Sequence, residues 1–524
     1  MQKNSVIRQA LWVSALMFCH NIAHAEGQSN LELVKILVEK GVISVEEGKK
    51  LLEVSPAVTP APNTVRVPYI PQSVKDDIGN QVREGVKEDV TAAVMTQAKK
   101  EGWGLPGAQP EWLSRLVFSG DFRLRAQEDM FASENSRIED FQILNEKGSY
   151  AKAGEKAFFN TTEDRTRLRT RVRLSLDAVV SENVKVKTRL ATGNQLDPVS
   201  TNQTLGNYGE KSAFTLDQGY IVWQLLDNHM QLSGGRMANP FLTTDLVWDA
   251  DLAFDGVATQ WNFGEMGATG IQPHILAGVF PIQELEISPE DKWLYGLEAG
   301  LNIKQRNNNS LRLALTYYSY DNIVGVKNSL NSNLTDFTAP KNMQRGNSLY
   351  NIRNSDNPAT ADVLYGLAAD YKNVGLTLMY DIASFAPKHL WVVADYTNNI
   401  GYDEGEVFAR NELANYDKQT TGYKLEVGFG IPKVQQAGDW SASFAYRHLE
   451  RDAVLDAFAD SDFLQGGTDN KGFIISGEYG VRKNLSVKLN YLSAASISTV
   501  SPTDNRTPLE YNSDVIQFDL NARF

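Results

Sequence analysis

From residue 112 to residue 524, apolar and polar residues alternate with a period of two. Seventeen stretches read as strands, among them RLVFSGDFRLRAQ, RTRLRTRVRLSL, NVKVKTRLATG, DVLYGLAADY, GLTLMYDIA and DVIQFDLNARF. The connectors alternate in length. SEN, NNN and GVRKN are tight, whereas Glu128 to Asp164, Asn194 to Ser212, Asp321 to Ala361, Asn399 to Lys418, Arg451 to Asn470 and Ala495 to Asn512 are long and polar. In lipid, only helices and closed barrels satisfy every backbone amide and carbonyl. Short turns on one side and long loops on the other therefore predict an all-β, transmembrane antiparallel barrel. Both ends of such a barrel lie on one side, which demands an even strand number, so one of the seventeen is not a span. Assigning directions from each end puts the conflict between Tyr320 and Lys388; 16 strands are expected, with 18 as the alternative. A soluble sandwich or propeller also alternates, but neither calls for a last strand with Ile516, Phe518, Leu520, Ala522 and Phe524 on one face.

Upstream the period changes. Lys3 and Arg8 precede the apolar run ALWVSALMF and then AHA, which predicts a signal peptide over residues 1–25. A helical pair is expected over 26–54, with Ser44 and Glu47 as a capping box, and a proline-rich linker over 55–72. Over 73–101, Val74, Ile78, Val82, Val86, Val90 and Val94 recur every fourth position, as in a helix able to associate with copies of itself. A glycine- and proline-rich linker over 102–111 precedes the barrel, 112–524.

The formal charge of −13 argues against nucleic acid as a partner. The sole cysteine, Cys19, lies in the signal segment, so thiol and disulfide chemistry are not expected of the mature chain. Against this acidic background, RTRLRTRVRLSL places Arg165, Arg167, Arg169, Arg171 and Arg173 on one strand face, opposite Thr166, Leu168, Thr170, Val172 and Leu174. Facing lipid, each arginine near the midplane would cost about 2–4 kcal/mol. Facing a wet lumen they are tolerable, because repulsion between neighbours roughly 7 Å apart in water is about 0.6 kcal/mol. Arg123 and Arg125 share a face with Asp121, and Lys185, Lys187 and Arg189 share the next, so three strands are expected to build one basic wall. Two readings of it stand: a wall neutralised by acidic loops, and a track that attracts anions.

The segment GWGLPGAQPEWLSRLVFSGDFRLR (Gly102 to Arg125), VPYIPQSVK before it and the terminal phenylalanine resemble the putative porin family of Gram-negative outer membranes, over essentially the whole mature chain. The resemblance implies a passive outer-membrane channel for small hydrophilic solutes, a homotrimer, and a last strand ending in Phe524 read by the barrel-assembly machinery. Resemblance to general porins also implies a constriction loop between the fifth and sixth strands, here Ala238 to Asp251 with Asp245, Asp249 and Asp251. A loop exposed on the outer surface is the alternative.

Enzyme motifs are lacking: there is no Gly-x-Ser-x-Gly, no His-Glu-x-x-His and no phosphate loop. Neither a cofactor nor a metal is expected, since Asp249, Asp251, Asp255 and Gly256 depart from the spacing of a calcium loop. Two further functions are carried alongside the porin: an envelope tether using residues 26–111, with peptidoglycan as a partner, and a barrel hydrolase.

Overall fold

The computed structural model describes residue 94 and residues 111–524, apart from 268–269, 306, 357–361, 412–417 and 504–506. The expected signal peptide, helical pair, linkers and the valine-striped helix lie outside the described residues, Val94 and Glu111 excepted.

Sixteen strands span the wall: β1 Leu116–Phe131, β2 Arg165–Ser181, β3 Val184–Thr192, β4 Phe214–Leu225, β5 Met230–Ala238, β6 Ala253–Asn262, β7 Ile271–Gln283, β8 Lys292–Lys304, β9 Ser310–Asp321, β10 Lys372–Ile382, β11 His389–Asn399, β12 Thr421–Gly430, β13 Trp440–Leu449, β14 Asn470–Arg482, β15 Leu485–Ser496 and β16 Asn512–Arg523. Each pairs antiparallel with its neighbours in sequence, and β1 pairs with β16 to close the ring. The closed ring leaves no unpaired edge, which is what lipid demands of a sheet. At the seam, the backbones of Phe524 and Gly120 exchange hydrogen bonds of 3.0 and 2.9 Å. A side chain at Gly120 would place its Cβ 2.7 Å from the Phe524 ring, so the glycine of SGD lets the terminal ring lie against the seam.

The strand in excess is DVLYGLAADY. Its Tyr365–Leu367 pairs with Leu349–Asn351 as a small hairpin inside the loop after β9. The reason is burial on both faces: Leu367, Ala368, Ala369 and Tyr371 have no exposed surface. A spanning strand must turn alternate residues to lipid, and this segment turns none.

On the spanning strands the alternate apolar residues, such as Phe118, Phe122, Leu124, Leu168 and Leu174, lie exposed on the outer face. Tyr295, Tyr317, Tyr396, Tyr423 and Tyr446 mark one rim of this band, and Trp223, Trp261 and Tyr479 the other, as interfacial aromatics do. The buried apolar core sits inside the ring. It joins inward-facing Phe254, Phe280 and Tyr318 of the wall to loop residues such as Leu246, Trp248, Leu367 and Leu455.

Candidate functional site

The register of β1 against β2 decides how the arginines meet. Asp121 faces Arg173, Arg123 faces Arg171, Arg125 faces Arg169 and Asp129 faces Arg165. Two of these pairs oppose like charges, which is unfavourable unless something else intervenes. Carboxylates from elsewhere do. Arg125 donates two bonds to Asp519 of β16, at 2.7 and 3.0 Å, and a third of 2.9 Å to Asp462 in the loop after β13. Arg169 lies 3.8 Å from the same Asp462 carboxylate and 3.4 Å from the Ser200 hydroxyl. Arg167 donates to Asp129 at 2.6 Å, and Arg171 and Arg173 both donate to Asp121 at 2.8 Å. Lys187 pairs with Asp177 at 3.1 Å, and Arg189 with Asp217. Arg123 donates to the Asn202 amide oxygen. Among the described residues, Arg123, Arg165 and Lys185 form no ion pair. The ten cations thus share one face of three adjacent strands, where they are interleaved with carboxylates from the wall and from the loops.

The loop over 239–252 folds into the ring. Phe241 and Trp248 pack edge-on against Tyr318 at 5.1 and 5.2 Å between ring centres, with Phe254 and Phe280 around them. The amide of Leu242 donates to Glu298 of β8 at 2.7 Å. Farther along, the amide and hydroxyl of Thr244 donate to Asp395 of β11 at 3.0 and 2.7 Å, and Asp245 pairs with Lys424 of β12. The loop leaves the wall at β5 and reaches strands six and seven places round a ring of sixteen, so it crosses the lumen. Asp251 returns it to the arginine wall, accepting from Arg173 at 3.2 Å and from the Thr201 amide and hydroxyl at 3.1 and 2.8 Å.

A second inward loop, 450–469, meets the first. The amide of Asp249 donates to the Phe458 carbonyl at 2.9 Å, and the Ser461 amide donates to the Asp249 carboxylate at 3.0 Å. Asp460 accepts from buried Arg447 at 2.9 Å. Burial and the neighbouring Asp460 push the Asp249 carboxyl up to about 8. Asp460 itself is raised to about 6 by burial, against the pull of Arg447. Burial would raise Asp251 and Asp462 too, but Arg171 and Arg173 hold the first below the usual carboxylate range, and Arg125 and Arg169 hold the second well below it. Asp245 is likewise lowered, burial being outweighed by Lys424.

Asp249, Asp251 and Asp255 point to different partners, the last to Arg236 at 2.9 Å, and no metal-holding group of acidic, histidine or cysteine residues occurs among the described residues. His274 bonds Glu298 at 3.0 Å, which places it among the polar strand residues. The loop over 450–469 was not singled out by sequence reasoning. Its signal was there, since Ala453, Val454, Leu455, Ala457, Phe463 and Leu464 make it too apolar for a solvated loop, and each is buried.

A family model described as "Putative porin" matches residues 53–524. The chain belongs to this family. It is an outer-membrane porin, and its barrel is the wall of a channel. No curated protein matches its sequence. Solved structures similar to this porin include OprB of Pseudomonas putida, in its high-pH structure, with 10% identity and a TM-score of 0.45 over 80% of this chain and 96% of that one. Another is an anion-selective porin from Comamonas acidovorans, with 10% identity and a TM-score of 0.41 over 78% and 99%. A third is the outer membrane channel DcaP of Acinetobacter baumannii, with 11% identity and a TM-score of 0.39 over 78% and 97%.

With the 239–252 loop across the lumen, one half of the interior is filled by its aromatic packing. The polar side, where β1 to β3 face Asp251 and Asp462, is the half whose groups suit a path for hydrated solutes. Such a path offers closely spaced donors and acceptors that can replace hydration water step by step.

Proposed function

We propose that this porin passes small hydrophilic solutes by passive diffusion, with a preference for anions set by the wall of β1 to β3. One observation carries the reading: ten cations share that wall, and seven of them pair with seven carboxylates, namely Asp121, Asp129, Asp177, Asp217, Asp251, Asp462 and Asp519. The surplus is local and positive although the whole chain is acidic. Low-dielectric walls focus such a field along the lumen, whatever the charge elsewhere. Asp245, Asp249 and Asp251 belong to this reading as the carboxyl groups of the constriction loop, with Asp249 largely protonated at neutral pH. Three copies of the chain associate, and Phe524, exposed at the end of β16, is the assembly signal. Native mass spectrometry of detergent-extracted protein tests the trimer. The zero-current potential of single channels in a potassium chloride gradient tests the ion preference: the sign for chloride is expected, and the sign for potassium contradicts it.

A further inference from the structure

The loop after β9, residues 322–371, starts eight places round a ring of sixteen from the loop after β1, residues 132–164. The two nevertheless meet, so between them they bridge the mouth on the long-loop side. Their contact is built on the short helix Phe141–Lys147, which Asp140 caps through the Ile143 amide and Gly148 ends in the left-handed region at φ 75°. Gln142 and Asn145, three residues apart, lie on one face of it. Each pairs its side-chain amide with the backbone of the opposite loop. Gln142 donates to the Lys341 carbonyl at 3.2 Å and accepts from the Met343 amide at 2.9 Å. Asn145 donates to the Tyr365 carbonyl at 2.9 Å and accepts from the Tyr365 amide at 2.7 Å. Around these bonds, Phe141 packs edge-on against Tyr365 at 4.7 Å, the Tyr150 and Tyr365 hydroxyls bond at 3.1 Å, and Lys152 pairs with Asp362 at 3.0 Å.

Surface loops that open and close have few buried contacts and solvated backbone bonds. This pair is the opposite, for Phe141, Leu144, Tyr365 and Leu367 are buried at the junction and next to it. Two cavities, of about 650 and 630 Å³, flank the 340–344 segment of the bridging loop. Leu196 and Asp197, from the loop after β3, border both. We propose that the joined loops form a fixed strap that sets the size limit for solutes at the mouth, ahead of the 239–252 constriction, with the two cavities as the ways past it. Gln142, Asn145 and Tyr365 are its positioning residues. The strap acts on size and not on charge, because the bonds that hold it are between neutral groups, Lys152 and Asp362 excepted.

The inference rests on the passive diffusion proposed above and is independent of the ion preference. Swelling of liposomes that carry the purified porin is followed in arabinose and in raffinose, two uncharged sugars of different size that do not sense the arginine wall. Gln142→Ala combined with Asn145→Ala removes the four bonds that join the loops, while alanine preserves the helix and the buried contacts stay. The rate for raffinose relative to arabinose should rise about tenfold over the parent. Tyr365→Ala, which removes the aromatic contact instead, should move the ratio the same way. A ratio equal to the parent's in both variants would overturn the strap and leave the size limit to the constriction. Both sugars accelerated by one common factor would overturn it as well, because a size filter acts on the larger solute. Parent liposomes closed to arabinose would contradict passive diffusion; the strap then stands if the variants admit the sugars and falls if they do not.

Discussion

The two halves of the lumen are built from the same kind of wall and filled in opposite ways. On the side of β6 to β9, the inward residues Phe254, Phe280 and Tyr318 meet Phe241 and Trp248 of the 239–252 loop in a packed aromatic core, with Glu298 and His274 beside it. On the side of β1 to β3, inward residues are arginines, lysines and aspartates, joined to loops by ion pairs. Outside, both halves present the same apolar band. A barrel wall constrains only the face that meets lipid. The inner face is free to hold a loop on one side and to offer charge on the other.

The apolar half should yield the largest effect. Trp248→Ala opens a cavity in the aromatic cluster and should cost about 3–5 kcal/mol, taken from the attachment of the loop rather than from the lipid-embedded ring. The mature chain is expected to lack cysteine, so a cysteine at fully buried Leu246 reports on this directly. Its reaction with a water-soluble thiol reagent should be slow alone and more than tenfold faster together with Trp248→Ala, which corresponds to over about 1.4 kcal/mol. Equal rates would show that the cluster does not hold the loop.

At the far end of the same loop, Asp395→Ala removes the acceptor of two bonds from Thr244 and one of 3.0 Å from Thr377. A loss of about 1–3 kcal/mol is expected, smaller than for the tryptophan because water can replace some of these bonds. Single-channel recordings should show added current noise at unchanged ion preference. A change of preference without noise would mean that the loop's far anchor, not the arginine side, sets selectivity.

The strands were legible because lipid imposes alternation on every one of them, and the arginine face was legible because period two assigns it to one side. The partners of those arginines were not. Asp462 and Asp519 lie 337 and 394 residues from Arg125 along the chain, brought to it by barrel closure and by a folded loop, and no local spacing encodes either. DVLYGLAADY misleads for a related reason: a hairpin buried on both faces by other loops has the same composition as a strand that faces lipid.

The smallest effect concerns the junction of the two inward loops. Asp249 and Asp460 are both raised, to about 8 and about 6, whereas a released aspartate ionises near 3.8. The packed loops therefore hold protons that separated loops would lose, so the contact is fully present below the ordinary carboxylate value and weakens as pH rises from there to about 8. Asp251, Arg447 and Ser461 surround the pair and moderate the change. Open-channel noise should rise modestly from pH 5 to pH 9, and Asp249→Asn should flatten the profile. A parent profile that is already flat would assign the junction to backbone bonds alone.

The central claim is that the arginine side governs which ions pass. Arg123, Arg165 and Arg169 make no ion pair shorter than 3.8 Å among the described residues, so changing all three to glutamate reverses charge while breaking few contacts. The zero-current potential of this triple variant, measured in a potassium chloride gradient against the parent, is predicted to move towards cation preference, with a shift that shrinks as ionic strength rises. Channels that insert and conduct with the parent's potential unchanged would contradict the account.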